Sequence, residues 1–372
     1  MRSLIVALAL PLAACGGAGD GLSSAGSSAA TGGASGTTGI ALPPPAGSTA
    51  TQANMFDVTA ATKFDAVSAM HSLSVSATKS ELYQGNASTA DSPAGSISYD
   101  PRDGIFVMTL ADAKADITRN ITFQDPGHRT TADSGRVEPQ VPLLAGFNYL
   151  SVLDGETPLT FFYQRPNSVG SFVSLAGFER NEKRADGSST SEQGVLVFGT
   201  RTPLFQTPTK GTARFDGQFL ATIMAQRDDF SERAQQWLAG SSAVDVDFAS
   251  RKVALTLSGT VGQTFIQNGP VANTALSVPA GSTFNATGTA SWGTFSNAFS
   301  GKFAAASFTT DGKVTPVDFT SVSAGTSTAG ASSIDGAFYG PDAKNVGGNF
   351  RIVGGIPNQR VDILGGFTGT KK

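Results

Sequence analysis

Cysteine is almost missing from this chain. Cys15 is the single one in 372 residues, so no disulfide can form within it. Histidine is nearly as scarce, and two His with one Cys cannot assemble a cysteine–histidine zinc cluster. Charge is sparse at 15% of residues, with 26 Lys and Arg against 29 Asp and Glu, a net charge of −3. A nucleic-acid binder needs a basic face for phosphate, and this balance argues against that class. No Gly-x-Ser-x-Gly elbow, Walker loop, His-Glu-x-x-His or dinucleotide fingerprint occurs, so catalysis has no motif to stand on and no enzyme is expected. What the chain has in quantity is glycine, 44 residues, and phenylalanine, 25. With abundant Ser, Thr and Ala, they point to β structure with aromatic cores rather than a helical bundle.

The N-terminus reads as a targeting device. Arg2 gives a positive start, and Leu4 to Ala14 is an apolar run of secretory length, too short for a permanent bilayer span. It ends in Leu12-Ala13-Ala14-Cys15, which resembles the lipobox of bacterial lipoproteins. That resemblance implies a signal peptide over residues 1–14, with Cys15 as the acylated (palmitate-bearing) first residue of the mature chain. Several acyl chains are enough for stable anchoring, since each buried CH₂ contributes roughly 0.8 kcal/mol. Gly16 follows where inner-membrane lipoproteins carry Asp, which implies the outer membrane. Residues 15–51 are mostly Gly, Ala, Ser, Thr and Pro without periodicity, a composition expected to form a flexible tether.

The rest divides into two regions, both all-β. In residues 52–207, Ser72 to Thr78 alternates. The turn Asp100-Pro101-Arg102-Asp103-Gly104 precedes a strand from Ile105 to Leu110, and further strands fall at Asn148–Val152, Leu159–Tyr163, Ser171–Phe178 and Gly194–Thr200. Gln124 to Pro142 and Arg180 to Gln193 are polar and broken, and both are expected to be loops. In residues 208–372, Phe215, Phe219 and Ile223 share a face against Arg214, Asp216 and Gln218, and Val244, Val246 and Phe248 alternate with Asp245 and Asp247. Phe295, Phe299 and Phe303 are expected on one strand, and Thr310-Asp311-Gly312-Lys313 turns a hairpin. Arg227 to Leu238 is the one helical candidate, either covering a barrel end or forming a charged surface excursion. Seven to nine short antiparallel strands with alternating Gly and Phe fit a closed barrel of approximately eight strands. Pattern alone allows the phenylalanines to face either a core or lipid. The acylation site favours a soluble, tethered barrel over a pore.

Gly336-Ala337-Phe338-Tyr339-Gly340-Pro341-Asp342-Ala343-Lys344-Asn345-Val346-Gly347-Gly348-Asn349-Phe350 and Gly365-Gly366-Phe367-Thr368-Gly369 resemble the last barrel strands of the transferrin-binding protein B family. Gly211 to Gly217 and Val246-Asp247-Phe248 match its first two. Asn345 stands where that family usually has Glu. The resemblance implies a barrel over residues 208–372 and a small handle-like antiparallel β domain over 52–207, forming one lobe where full receptors have two. It also implies a surface lipoprotein of a Gram-negative bacterium that binds a host protein, haem or another solute, for iron or other nutrient acquisition. Such a protein would be exported by lipoprotein processing machinery and a dedicated outer-membrane factor. A structural or envelope-maintenance lipoprotein is the alternative. No cofactor is expected, though haem remains a possible ligand. Ligand-site candidates are the two expected loops with the nearby Phe147 and Tyr149, and His71 and His128 as haem-ligating types. Asp245 and Asp247 share a strand face and read as solvated residues. No metal site is expected.

Overall fold

The computed structural model describes residues 58–372 except 77–79, 87–88, 113–116, 126, 132–136, 138–139, 165–170, 228–232, 267–268, 272–276, 321–331 and 358. The leader, Cys15 and the tether lie outside the described residues. Described regular structure is all strand apart from two 3-10 turns, Leu204–Gln206 and Pro341–Ala343.

Ten strands build the first sheet: β1 (Thr62–Val75), β2 (Ser80–Asn86), β3 (Gly95–Asp100), β4 (Ile105–Asp112), β5 (Ile117–Gln124), β6 (Arg129–Thr130), β7 (Phe147–Asp154), β8 (Thr157–Gln164), β9 (Val173–Lys183) and β10 (Ser189–Gly199). Their order is β5-β4-β3-β1-β10-β9-β8-β7-β6, with all pairs antiparallel. β3 lies along Thr62–Ala66 of β1 and β2 along Ala69–Val75. The sheet curls over its own core of Phe64, Met70, Ile97, Phe106, Phe123, Phe161, Phe178 and Phe198.

Eleven strands build the second: β11 (Thr212–Arg227), β12 (Arg233–Asp247), β13 (Lys252–Val261), β14 (Thr264–Ile266), β15 (Gly269–Val271), β16 (Thr283–Ser291), β17 (Ala298–Thr310), β18 (Lys313–Pro316), β19 (Ser332–Tyr339), β20 (Asn345–Ile356) and β21 (Gln359–Lys371). Eight of them close a barrel in the order β11-β12-β13-β16-β17-β19-β20-β21. The closing pair β21–β11 sets Phe367 beside Phe219 and Ile363 beside Ile223. Closure removes both sheet edges. β14–β15 hangs on β12, and β18 on β17.

Phenylalanine and glycine fill the barrel interior together, as their alternation in the sequence predicts. A Cβ on Gly336 would lie 2.4 Å from the Phe299 ring, one on Gly259 2.6 Å from Phe219, and one on Gly365 2.7 Å from Phe350. The rings therefore occupy the space that side chains would have taken, and the middle is a packed core. Strands β13 and β16 alternate strictly between buried and exposed residues. Their apolar face, with Val253, Leu255 and Leu257 on β13 and Phe284 on β16, is the core and their polar face is the outside.

Four local expectations need correction. Arg180–Gln193 is not a loop but the β9–β10 hairpin, with Arg180 opposite Glu192. Its charges are tolerated in a sheet because they pair: Arg180 Nε donates to Asp154 Oδ2 at 2.9 Å, and its Nη1 donates to Glu182 at 3.0 Å and Glu192 at 3.4 Å. The stretch Gln124–Pro142 is likewise interrupted by β6, which pairs with β7. The described part of the helical candidate is strand, since Arg227 ends β11 and Arg233 to Leu238 open β12, while residues 228–232 lie outside the described residues. Leu238 joins the barrel core while its neighbour Trp237 packs toward the first sheet, a period of two that the helical spacing mimicked. Phe295 lies outside β17 and is 89% exposed, whereas Phe299 and Phe303 point inward.

Candidate binding surfaces

The outer face of β1, β8, β9 and β10 packs on the barrel wall made by β11, β12, β20 and β21, and the seam has an apolar and a polar part. Val67, Phe162, Phe172, Val173, Leu175, Val195 and Val197 meet Leu220, Trp237, Ala337 and Tyr339 in one cluster. The edge of Trp237 lies against Phe162 with ring centroids 5.3 Å apart. Glycines let the backbones approach here. A Cβ on Gly366 would sit 2.7 Å from Val197, and one on Gly347 2.9 Å from it. The Gly-Gly pair Gly365-Gly366 thus serves two sides, the first making room for Phe350 inside and the second for the neighbouring sheet outside.

Beside this cluster the seam turns polar. The Glu179 carboxylate, fully buried, accepts hydrogen bonds from Trp237 Nε1 (3.3 Å), Gln193 Nε2 (3.3 Å) and Asn181 Nδ2 (3.1 Å). Asn349 Nδ2 donates to the Ser68 carbonyl at 2.9 Å. The turn after β19 acts as a clasp. Gly340, at φ 71°, would strike the Phe172 ring with any Cβ, 2.4 Å away. Asn345 accepts from the Phe172 amide at 3.2 Å and donates to Thr370 Oγ1 at 2.9 Å and the Gly369 carbonyl at 3.3 Å. An amide both accepts and donates, which an ionised Glu at this position could not.

The sequence candidates fall in different places. Phe147 and Tyr149 are each 6% exposed and belong to the seam cluster, with Tyr149 stacked on Phe162 at 5.7 Å. Neither is presented to solvent, because both extend from β7 toward the barrel side of the sheet. His71 is also buried in the seam, its Nδ1 2.7 Å from Thr222 Oγ1. Thr222 Oγ1 also lies 3.4 Å from the Leu364 carbonyl, and His71 Nε2 has no hydrogen-bond partner among the described residues. Burial and then the Arg351 charge lower its pKa to about 3. His128 is exposed in the turn after β5, where its Nδ1 accepts from the Gln124 amide at 2.9 Å. Its proton therefore sits on Nε2. The structure brings none of these four together with another as a ligand set apart from the shared seam. Cys15 lies outside the described residues.

Two features that sequence reading did not single out face solvent. A groove of about 1300 Å³ runs along the outer wall of the barrel over β11, β12, β13, β16, β17 and β19. In it Arg214 Nη1 donates to Asp245 at 3.2 Å, while Arg214 Nε and Lys372 hold Asp216. The Lys372 and Arg214 contacts draw the Asp216 carboxyl below its ordinary pKa. Burial and the Asp91 carboxylate raise Asp335 above its own. The second feature is a set of exposed apolar side chains, Phe205 at 85% and Phe295 at 89% foremost, with Leu143, Leu153 and Val314 elsewhere.

Residues 207–371 match the family model described as the C-lobe and N-lobe beta barrels of Tf-binding protein B. These residues, less than half of the chain, are similar to the barrels of transferrin-binding protein B. Two relatives carry that name, both from Haemophilus influenzae. One, from strain Rd, is 25% identical over 192 residues, covering 51% of this chain and 27% of the relative. The other, from strain 86-028NP, is 27% identical over 277 residues, covering 68% and 39%. The match thus spans about a quarter to two fifths of the relatives' length. Among solved structures, a transferrin-binding protein B from Haemophilus parasuis Hp5 overlays 84% of this chain on 76% of its own, at 11% identity and a TM-score of 0.34. The haemoglobin receptor HpuA of Kingella denitrificans overlays 82% on 86%, at 11% identity and a TM-score of 0.28. The transferrin-binding protein B-like motif from Gly336 to Phe350 has a plain physical meaning here. It is strand β19, the clasp on Phe172 and the glycine entry of β20 beside the first sheet.

Proposed function

We propose that this chain is a lipid-anchored protein of the outer membrane, displayed on the surface of a Gram-negative bacterium, that binds a host protein, haem or another solute without catalysing a reaction. Iron or other nutrient acquisition is the purpose this reading suggests. The observation that carries it is the match of residues 207–371 to the barrels of a protein named for binding transferrin. The filled barrel interior supports contact on the outside of the molecule, through wall, loops and exposed side chains. The lipobox-like Leu12-Ala13-Ala14-Cys15 supports anchoring through Cys15, with lipoprotein processing enzymes and an export factor as transient partners. Among the histidines, His128 is the exposed one, and ligating haem through Nε2 would require Nδ1 to give up the Gln124 amide.

The binding test is capture. The chain from residue 15 onward, carrying C15S, is immobilised and offered host serum, haemolysate and free haem. Selective retention of one host protein, or a Soret shift with haem that H128A abolishes, is the expected result. Retention of nothing beyond a heat-denatured control favours the envelope-maintenance alternative. Anchoring is tested separately: C15A should abolish labelled palmitate incorporation, and equal labelling of variant and parent overturns it.

A further inference from the structure

One end of the barrel is unlike the rest of the molecule in charge. Hydrogen bonds between neighbouring turns gather it into a rim: the Phe248 amide donates to the Gly211 carbonyl (3.0 Å), Trp292 to Arg251 (3.4 Å), Phe338 to Asn297 (3.4 Å) and Lys371 to Lys344 (3.0 Å). Beneath the rim, Phe248, Trp292 and Phe338 close the barrel with centroids 5.2 to 6.1 Å apart. On it stand the exposed cations Lys210, Arg251, Lys252, Lys344, Lys371 and Lys372. The acids at this end are Asp247, whose oxygen accepts from the Ala249 and Ser250 amides, Asp342, Asp216, which Lys372 holds, and Asp91, which Ser296 bonds beside Phe295. A chain of net charge −3 therefore has a cationic end.

Phe205 and Phe295 flank this rim. The Leu204–Gln206 turn packs beside Pro341–Ala343, and Asn297 Nδ2 donates to the Thr202 carbonyl, tying the two loops together. By chain reach the phenylalanines are no more than roughly 25 Å apart. Each stands at a loop tip, Phe205 with the part-exposed Leu204 beside it and Phe295 by itself. A protein hot spot is surrounded by packed contacts that exclude water. A bilayer interface accepts single rings between cations that meet headgroup phosphates.

We propose that this rim docks on an anionic lipid surface, with Phe205 and Phe295 entering the headgroup layer and the lysines meeting phosphate. The proposal rests on the membrane location proposed above. An acyl anchor would hold the rim near lipid at high effective concentration. Docked this way, the barrel leaves its opposite end, with the β17–β18 hairpin and exposed Val314, free for a soluble partner.

The test removes the anchor so that the two readings fail separately. The chain from residue 15 onward with C15S, which keeps every described residue, is sedimented with vesicles of phosphatidylcholine alone or with 30 mol% phosphatidylglycerol (about a third anionic lipid, enough for a surface potential). Binding to the anionic vesicles only, weakened by 0.5 M salt, is expected. F205S/F295S and K210Q/K252Q/K344Q should each lower the partition about tenfold, and V314S at the far end should leave it unchanged. Circular dichroism checks that each variant is folded. Equal binding to both vesicle types overturns the proposal, as does no binding to either. It is also overturned if the folded F205S/F295S variant binds like the parent, or if the rim captures polyglutamate as tightly as vesicles, which would assign it to an acidic protein. Loss of palmitate labelling in C15A bears on the anchor and not on this result.

Discussion

His71 shows how much one side chain's surroundings can change its chemistry. Buried between β1 and the barrel wall, with Thr222 on one ring nitrogen and Arg351 nearby, it falls from an ordinary pKa of 6.5 to about 3. Between those values the unfolded chain binds a proton that the folded chain refuses, so this residue makes stability rise with pH across that window. Stability should fall as pH drops below about 6.5, with a slope from His71 approaching ~1.4 kcal/mol per pH unit. His71→Asn keeps a polar atom near Thr222 and removes the titration. Urea midpoints at pH 7 and pH 4.5 should differ less for H71N than for the parent, and parallel shifts in the two would sink the assignment. Sequence reading singled out His71 for its type alone. Its burial comes from a sheet 151 residues further on, which no local pattern records.

At the scale of elements, the β9–β10 hairpin depends on its ion pairs. Arg180 and Glu192 have side chains 6% and 3% exposed, and Asp154 shares the guanidinium. Arg180→Ala would leave Glu192 buried with only Arg119 beside it, at a cost of about 3 kcal/mol; chemical denaturation checks this, and a change below about 0.5 kcal/mol would show the network to be dispensable. Strand β21 matters for a different reason. Deleting residues 359–372 would free the edges of both β11 and β20 and uncover the core around Phe219 and Phe367. Amide protection across Phe215–Met224 should collapse in the truncated chain; protection retained there would mean that closure does not hold β11. These strands were legible where one face is wet, as in β13 and β16. The hairpin was misread because charge in a sheet looks like a loop until its partners are known.

At the scale of the molecule, the two sheets share a seam of large side chains held close by glycine, so we expect them to unfold as one unit. Gly366→Val would drive methyl groups into Val197 and Val195, which already stand 2.7 and 3.0 Å from where a Cβ would go. The strain should cost about 1–3 kcal/mol. In calorimetry the single transition of the parent should split into two as the seam opens. A variant that keeps one transition at an unchanged temperature would show the seam to be slack.

The barrel could be read from the chain alone, because a sheet with core on one side and water on the other writes its period of two into the residues. Phe215, Phe219 and Ile223, and the Phe–Gly alternation that fills a narrow interior, needed no partner to be interpreted, and the Gly336–Phe350 motif carried the family resemblance. What only the tertiary structure decided lies where a strand is covered twice. β9 and β10 are buried almost without interruption, since one face meets the curled sheet's own core and the other meets the barrel. Alternation vanishes there, and with it the local signal. Phe147, Tyr149 and His71 look alike in sequence whether they face a ligand, a core or a neighbouring sheet. Their roles were set by a second sheet far along the chain, through the exclusion of water that only its arrival produces.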